Sequence, residues 1–366
     1  MVSFAAYLVL ENAMVFEGRS FGRAAGADVI GEVVFATGMT GYLETLTDPS
    51  YYGQIIVQTF PMIGNYGVIP GDFESSGPKP KGYVVREWCE KPSNFRSQGD
   101  IDALLKREGV AGLCGVDTRA ITRIIREYGA MNGVITSNPA GVDMDALKGY
   151  VISDAIANVS VKEPAVLPAK RAALYRVVLW DFGAKSSIAA SLAERGCEVT
   201  TVPHDYTAEQ IAALRPDGLM LSNGPGDPAG NRGIIEELRK VTGTGLPIFG
   251  ICLGHQIMAL AMGAETERLK YGHRGTNQPV RDNRTGVIHI TTQNHGYAVI
   301  SGSIPEDAAE IRYANANDGT CEGLEYKTIP AFTVQFHPEA AAGPRDTEFL
   351  FGRFTDMMEE YKNAKK

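Results

Sequence analysis

The sequence predicts an α/β fold with a separate amino-terminal α+β domain and a carboxyl-terminal, doubly wound sheet that is mostly parallel. Residues 174–366 alternate strand and helix patterns, which is typical of a parallel sheet with helices on its faces. Residues 1–150 instead mix short β-rich runs with one helix–strand–helix stretch. Residues 151–173 lose this periodicity and contain two prolines, so we interpret them as a linker between the two domains.

Composition limits the classes of protein to which the chain can belong. A chain of 366 residues, 44% hydrophobic and 21% charged, is long enough for about two domains with well-buried cores. Its formal net charge of −8 argues against nucleic acid or an anionic membrane surface as a partner, because both are bound mainly through excess Lys and Arg.

The first stretch, "MVSFAAYLVLENAMVFEG", predicts a pair of strands. No Lys or Arg precedes its apolar run, and Glu11 interrupts the run too early for a membrane span or a secretion signal. We therefore expect the chain to be cytoplasmic.

The five cysteines show neither CxxC spacing nor an even count. Free thiols explain this pattern better than a disulfide framework or a zinc site. We expect no metal site and no cofactor in this chain, and a chemical role for at most one cysteine.

Within the first half, "EVVFATGMTGYLETL" and "GQIIVQTFPMIGNYG" are the β-rich runs, and residues 100–133 predict helix, strand and helix. Asp117 is a suitable N-cap for the second helix, and Gly129 is placed to end it. The predicted buried face of this helix consists of Ile121, Ile124 and Ile125. Another face carries arginines, which indicate either a solvated stripe or a partner contact: Arg119, Arg123 and Arg126.

In the second half, the strand patterns are "YRVVLWDFG", "CEVTTV", "GLMLS" and "LPIFGI", each followed by a helix pattern. Ligands of such sheets bind in the crevice beyond the carboxyl ends of the strands. Cys252 follows one strand and the loop "SNGPGDPAGN" follows another, so the fold is expected to bring these two segments together.

Cys252 has the surroundings of a nucleophile. Gly250 and Gly254 flank it in a thiol version of the G-x-S-x-G elbow, in which a strained residue projects its side chain from a sharp strand-to-helix turn. The helix N-terminus after it favours a thiolate and places the Leu253 backbone N–H near a developing oxyanion. A buried structural cysteine is the alternative, so the prediction needs a base.

His337 and Glu339 are the predicted partners of that thiol. The apolar strand in "AFTVQFHPEA" ends at His337, and Pro338 fixes the bend, so the imidazole and the carboxylate lie on one short loop. Glu339 can hold one ring nitrogen while the other faces Cys252. We interpret His255 as a helix residue without a chemical role, and three further histidines as lacking a nearby carboxylate pair: His204, His273 and His289.

The segments "GICLGHQ", "SNGPGDP" and "HPEA", in this order, resemble the class I (triad) glutamine amidotransferases over the whole second half. In the first half, "GEVVFATGMTGYLETLTDPSYYGQ", "FPMIGNYG" and "GVDTRAITRIIREYGAMNG" are similar to the amino-terminal domain of carbamoyl-phosphate synthetase small subunits. Other members of the class do not carry that domain. The resemblance covers nearly all of the chain.

The resemblance implies that Cys252 is the nucleophile, His337 the general base and then acid, and Glu339 its orienting carboxylate. It also implies that the backbone of Gly224 and Leu253 forms the oxyanion hole. The implied glutamine-binding residues are Ser50, Gly224, Gly226, Leu253, Gln256, Asn294, Gly296 and Tyr297. Some relatives have phenylalanine in place of Tyr297. Ser50 would place the glutamine site near the boundary of the two domains.

The implied reaction is the hydrolysis of glutamine, and the implied partner is a large synthetase subunit, to which the ammonia is passed. No ATP-grasp or P-loop pattern is found in the sequence, so ATP and Mg are expected on that large subunit, which would use bicarbonate. The product, carbamoyl phosphate, serves arginine or pyrimidine synthesis, and the resemblance leaves both open.

Three alternative functions would each change specific features of the sequence. Another thiol hydrolase would share the elbow but lack the first domain and the "SNGPGDP" loop. A glutaminase of another synthetase would lack the first domain alone. A non-enzymatic scaffold would keep the fold and lose the nucleophile, and the joint presence of Cys252, His337 and Glu339 argues against it.

Overall fold

A computed structural model describes residues 4–23 and 28–364. The chain divides into two compact units, Met1–Ala155 and Ile156–Lys366. Among the residues that the structure describes, no helix combines the length and the apolar character needed to cross a membrane.

The first unit is built on a closed seven-stranded sheet. Its strands follow the order β1-β2-β8-β6-β4-β3-β9, and β5 pairs with β7 in a separate two-stranded sheet. The strands are β1 (Ala5–Leu10), β2 (Val15–Gly22), β3 (Val29–Ala36), β4 (Gln54–Gln58), β5 (Met62–Ile63), β6 (Gly82–Val85), β7 (Glu87–Trp88), β8 (Ala111–Cys114) and β9 (Met131–Thr136). The antiparallel pair β1–β2 confirms the prediction of two strands at the start of the chain.

The helices of this unit are α1 (Tyr42–Thr47), α2 (Ile101–Glu108), α3 (Thr118–Tyr128) and α4 (Met144–Lys148). The predicted helix–strand–helix order of α2, β8 and α3 is confirmed. Asp117 caps α3 by accepting hydrogen bonds from the backbone of Arg119 and Ala120. Ile121 and Ile125 are buried as predicted, whereas Ile124 is only half-buried. The run predicted as β-rich around residues 32–46 contains α1, because Gly41 adopts the left-handed conformation that precedes this helix.

The second unit contains a ten-stranded sheet in the order β10-β12-β11-β13-β14-β19-β18-β17-β15-β16. Its strands are β10 (Ala165–Leu167), β11 (Tyr175–Trp180), β12 (Cys197–Val202), β13 (Gly218–Leu221), β14 (Ile248–Ile251), β15 (Thr266–Asp282), β16 (Ile288–Val299), β17 (Ala309–Asn315), β18 (Cys321–Tyr326) and β19 (Ala331–Val334). Its helices are α5 (Ala155–Val159, starting at the last residue of the first unit), α6 (Ser186–Glu194), α7 (Ala208–Ala213), α8 (Arg232–Thr242), α9 (Leu253–Ala261) and α10 (Phe349–Ala364).

The strands of this sheet are parallel only in its centre. The five strands β12, β11, β13, β14 and β19 pair in parallel, as the alternating pattern predicts. The other strands, β10 and β15 to β18, pair antiparallel, so the prediction of a mostly parallel sheet is wrong for the whole sheet. Long antiparallel strands such as β15 have mixed burial and bulges, which hide the simple alternation that marks a strand.

Residues 151–173, interpreted as a linker, contain structure of their own. They include α5, and β10 pairs with β12 at the edge of the sheet in the second unit. The strand β10 consists of three consecutive apolar residues, all of them exposed. Three residues are too short a run to show the alternation from which a strand is predicted.

Alternate residues of the central strands point to opposite faces of the sheet. Val178 and Trp180 belong to one core cluster, which includes residues of α7, α8 and α9. Val177 and Leu179 belong to a second cluster with residues of α6 and α10. Helices therefore cover both faces, and the carboxyl ends of β11, β13, β14 and β19 share one edge.

Candidate active site

Cys252 occupies the sharp turn between β14 and α9. Its backbone has φ 54° and ψ −105°, a region that residues other than glycine rarely adopt. The turn is held on both sides, because Cys252 N–H donates to Val334 O at 2.8 Å and Gly254 N–H donates to Ser222 O at 3.0 Å. This geometry matches the strained elbow predicted from the sequence. The Cys252 side chain is buried, with its Sγ 3.7 Å from the Asn294 carbonyl oxygen.

His337 and Glu339 follow β19, the neighbour of β14 in the sheet, and form a buried pair. His337 Nδ1 lies 2.6 Å from Glu339 Oε1, and both side chains are at most 1% exposed. The other ring nitrogen, Nε2, makes no hydrogen bond of standard length with any residue that the structure describes. The imidazole also interacts with the Cys252 side chain, an interaction that raises the pKa of His337. The fold thus brings together the three residues predicted to act on glutamine.

Lys185 is a member of this cluster that the sequence analysis missed. Its ammonium donates to Glu339 Oε1 at 2.9 Å, and the Lys185 side chain is only 5% exposed. The backbone of Lys185 is fixed in turn by the Asn223 side chain, whose Oδ1 accepts from Lys185 N–H at 3.0 Å. The signal that points to this residue is the position of "DFGAK" after β11, at the same edge of the sheet as Cys252.

The charges of this cluster set its protonation states. Burial alone would lower the pKa of His337, but the Glu339 carboxylate outweighs burial and the opposing Lys185 charge, so the net pKa is raised. Burial alone would raise the pKa of Glu339, but Lys185 and His337 hold it well below its usual value. Glu339 is therefore an anion that favours the protonated imidazole, while Lys185 limits that effect.

Two segments supply backbone groups beside the elbow. Leu253 is the first residue of α9, and the backbone N–H groups in the first turn of a helix have no carbonyl acceptor within that helix. Gly224 lies in the loop after β13, and a Cβ placed there would come within 2.9 Å of Leu253 Cδ2 and 2.2 Å of Phe182 O. Gly226 of the same loop is exposed and has φ 94°. The loop therefore runs beside the elbow in a path that only glycine permits at residue 224.

Four further predicted residues lie on α9 and β16. Gln256 is buried on α9, and its Nε2 donates to the backbone oxygen of Tyr297 at 2.7 Å and to Gln335 Oε1 at 2.8 Å. Asn294 reaches Cys252 through its backbone oxygen, as described above. Gly296 and Tyr297 follow Asn294 on β16, and both are half-buried. Gln335, which the sequence analysis also missed, is fully buried against Gln256.

Ser50 lies in the first unit, in a short 3-10 turn over Pro49–Tyr51. Its backbone N–H donates to Asp48 Oδ1 at 2.9 Å. The other predicted residues of the site all lie in the second unit. The assignment of Ser50 to the glutamine site stays a prediction.

Two histidines outside the cluster behave differently from each other. His255 is buried in α9, where Nδ1 lies 2.8 Å from Thr333 Oγ1 and burial lowers the pKa to about 3. His273 contacts two carboxylates, with Nε2 2.8 Å from Asp318 Oδ2 and Nδ1 3.3 Å from Glu322 Oε1. The expectation that His273 lacks a carboxylate pair is therefore wrong, because folding brings together residues that are 45 and 49 positions apart in sequence.

A thiol at a helix N-terminus, an imidazole oriented by a carboxylate, and nearby backbone N–H groups are the parts needed for acyl transfer. In this arrangement the thiol can attack a carbonyl carbon, and the imidazole can carry its proton to the leaving group. These parts lie together at the carboxyl ends of the central parallel strands, where α/β sheets bind ligands.

Comparison with known families assigns both halves of the chain. Residues 8–135 match the carbamoyl-phosphate synthase small chain, CPSase domain, and residues 178–357 match the glutamine amidotransferase class-I family. Among solved structures, a chain described as a GMP synthase protein of Thermoplasma acidophilum matches 52% of this chain and 96% of its own, at 24% identity and a TM-score of 0.46.

Curated relatives match almost the whole chain. The carbamoyl phosphate synthase small chain of Bacillus thuringiensis subsp. konkukian is 50% identical over 97% of this chain and 96% of its own. That of Clostridium perfringens is 47% identical over 95% of this chain and 98% of its own. The carbamoyl phosphate synthase pyrimidine-specific small chain of Bacillus subtilis is 49% identical over 96% of this chain and 95% of its own. This chain therefore belongs to the carbamoyl-phosphate synthase small-chain family and is a glutamine-hydrolysing enzyme subunit with a class I glutamine amidotransferase domain.

Proposed function

We propose that this chain hydrolyses L-glutamine through Cys252, His337 and Glu339 and delivers the ammonia to a large synthetase subunit, which makes carbamoyl phosphate from bicarbonate and ATP. The observation that carries the proposal is the strained backbone of Cys252, with φ 54°, beside a buried His337–Glu339 pair. Strain of this kind is costly and is maintained where a side chain must be projected for chemistry.

In the proposed reaction the Cys252 thiolate attacks the side-chain amide carbon of glutamine. Backbone N–H groups of Leu253 and Gly224 stabilise the oxyanion, and His337 donates its proton to the departing ammonia. Water, deprotonated by His337, then attacks the thioester and releases glutamate, which restores the thiol. Glu339 stays ionised and keeps the ring of His337 in place, and Lys185 stabilises that carboxylate.

The remaining predicted residues are proposed to bind the amino acid end of glutamine: Ser50, Gly226, Gln256, Asn294, Gly296 and Tyr297. Support for Gln256 comes from its two fixed hydrogen bonds, which hold its amide between α9 and β16 in a buried position. The oxygen of that amide is left for a donor such as the substrate ammonium group.

The partner is proposed from the names of relatives, each called a small chain. We propose a heterodimer with a large subunit that carries the ATP and Mg sites, with no cofactor for glutamine hydrolysis in this chain. Among the two candidate routes, pyrimidine synthesis is supported by the pyrimidine-specific name of the Bacillus subtilis relative, while arginine synthesis stays an expectation.

We also propose the finer architecture that the sequence predicts. The second domain, residues 174–366, is doubly wound in its parallel centre, which is supported by core clusters with helices on both faces of the sheet. The first domain, residues 1–150, is a separate folding unit joined through residues 151–173. A cytoplasmic location is proposed on the strength of the five free cysteines.

A glutamine analogue with an electrophilic carbon in place of the amide tests the proposed nucleophile. Peptide mapping of the treated chain should find one modified residue, Cys252, and glutamine should protect it. The Cys252→Ser chain should stay unmodified, whereas Cys321→Ala, which removes another buried thiol, should be labelled like the wild type. Labelling of a different residue, or of Cys252→Ser to the same extent, would refute the assignment.

A further inference from the structure

A second cluster of ionisable side chains lies on the antiparallel part of the sheet. His273 of β15 and His295 of β16 are opposite each other across the hairpin, with their rings edge to face at 4.9 Å between centroids. Glu322 comes from β18. One nitrogen or oxygen atom of each of the three residues lies within 4.8 Å of the other two, in the part of the chain that the structure describes.

Hydrogen bonds around the cluster orient these atoms. His273 Nε2 lies 2.8 Å from Asp318 Oδ2, and His295 Nδ1 lies 2.7 Å from the Tyr297 carbonyl oxygen. Each imidazole can thus donate an N–H outward, which leaves the lone pair of its other nitrogen directed inward. Glu322 Oε1 is held in the same way by Asn315 Nδ2 at 3.0 Å. Metal-binding histidines characteristically donate their second N–H to a carboxylate or a backbone carbonyl.

Two of the inward atoms of the cluster lack hydrogen-bond partners among the described residues. Glu322 is fully buried, and its Oε2 has no hydrogen-bond partner among the residues that the structure describes. His273 Nδ1 is also without a hydrogen bond of acceptable geometry among the described residues, although Glu322 Oε1 is 3.3 Å away. Burying a carboxylate oxygen and a ring nitrogen without partners is unfavourable, and such groups indicate an ion or water between them.

We propose that His273, His295 and Glu322 bind a divalent transition-metal ion, with Zn²⁺ as the preferred ion. Two imidazoles and one carboxylate are a ligand set typical of Zn²⁺, whereas Mg²⁺ and Ca²⁺ prefer oxygen ligands alone. Gln293 Oε1, 3.3 Å from His295 Nε2, or a water molecule would supply the fourth ligand. The expectation of no metal site was based on cysteine spacing, which carries no information about histidines joined by strand pairing.

A metal ion held by these three residues would join β15, β16 and β18 beside Asn294, whose backbone oxygen contacts Cys252. The site is structural in this scheme and does not depend on the mechanism proposed for glutamine hydrolysis.

Cobalt binding to the full-length chain tests the proposal. After dialysis against a chelator, the chain is titrated with Co²⁺, a spectroscopic substitute for Zn²⁺, and bound metal is measured by visible absorption and elemental analysis. We expect one ion per chain, displaced by Zn²⁺ and absorbing as a four- or five-coordinate site without thiolate. Asp318→Ala should weaken binding by about 10- to 100-fold because it removes the outer hydrogen-bond acceptor of His273 Nε2. Glu322→Gln should abolish stoichiometric binding.

Two control variants separate this site from adventitious binding. His289→Gln removes a histidine outside the cluster, and Cys252→Ser removes the nearest catalytic thiol; both should bind metal like the wild type. The proposal fails if the wild-type chain binds no stoichiometric Co²⁺, if Glu322→Gln binds as tightly as the wild type, or if Cys252→Ser abolishes binding. The titration of the wild-type chain needs no variant. The proposal can therefore be refuted even if Glu322→Gln does not fold.

Discussion

At the scale of single residues, Cys252 combines a costly backbone conformation with a reactive side chain. A non-glycine residue with φ 54° costs about 1–3 kcal/mol, and here the cost is offset by flanking backbone hydrogen bonds to Val334 and Ser222. The strain directs the thiol toward the edge of the sheet where His337 lies. The turn therefore determines the position of the thiol, and the role that we propose for His337 depends on the charges around its ring.

We expect different losses when the imidazole and its carboxylate are removed. His337→Asn removes the proton carrier and should lower kcat for glutamine hydrolysis by about 10²- to 10⁴-fold. Glu339→Gln should retain more activity, since the amide oxygen can still accept the hydrogen bond from Nδ1. Steady-state glutaminase assays compare the two, with urea unfolding as a check on stability, because Glu339→Gln leaves Lys185 buried without its carboxylate. Equal losses in two folded variants would contradict the division of roles.

The pKa of His337 should move in opposite directions in two variants. Glu339→Gln removes the anion that favours the imidazolium, so the pKa falls; Lys185→Met removes an opposing positive charge, so the pKa rises. NMR titration of labelled histidine measures both. A shift in the same direction in both variants would show that a change of packing, and not charge, sets the protonation of His337.

The same coupling makes stability depend on pH. A raised pKa of His337 in the folded chain stabilises it fully below the unfolded value of about 6.5, and this contribution is lost as the pH rises through the folded pKa. We therefore compare the unfolding free energy of the wild type with that of His337→Asn. The difference between the two should be constant at mildly acid pH and should decrease as the pH becomes alkaline. Urea unfolding between about pH 6 and pH 9 checks this, and an excess that grows with pH would contradict it.

At the scale of elements, the elbow requires the backbone of α9 to pass very close to β13. A Cβ at Gly254 would lie 2.5 Å from Leu221 O, so Gly254→Ala should lower the unfolding free energy by about 1–3 kcal/mol and disturb Cys252. Gly233→Ala is the matched control, since no atom lies within 4 Å of its added Cβ in α8. That change should be neutral or stabilise by up to about 1 kcal/mol. Equal effects of the two changes in urea unfolding would refute the close packing.

The elements predicted from sequence are those that local patterns determine. The elbow, the helix–strand alternation of the parallel centre and the cap at Asp117 all depend on residues within a few positions of each other. The antiparallel strands β15 to β18 and the closed sheet of the first unit depend on pairing between distant segments. Lys185 was missed for the same reason, because its partner Glu339 is 154 positions away. Local sequence therefore predicted a candidate nucleophile and base, which the fold brings together, but not Lys185, whose charge opposes that of the His337 imidazolium.

At the scale of the whole molecule, glutamine hydrolysis in this chain and synthesis in a partner must be coordinated. If closure in the partner completes the glutamine site, the isolated chain should hydrolyse glutamine slowly, and the large subunit with ATP and bicarbonate should accelerate it. Glutaminase assays with and without the partner measure this. An isolated chain that already works at its full rate, unaffected by the partner, would contradict the coupling.

The most direct test of the central claim uses Cys252→Ser in the reconstituted complex. Serine leaves the elbow and the oxyanion donors in place, but its hydroxyl has a far higher pKa than a thiol, so His337 should deprotonate it poorly. Carbamoyl phosphate synthesis is measured on one preparation with glutamine and with ammonia as nitrogen source. We predict that glutamine-dependent synthesis falls by several orders of magnitude while ammonia-dependent synthesis is retained. Retained glutamine-dependent synthesis would show that Cys252 is not the nucleophile, and loss of both would show that this chain does more than supply nitrogen.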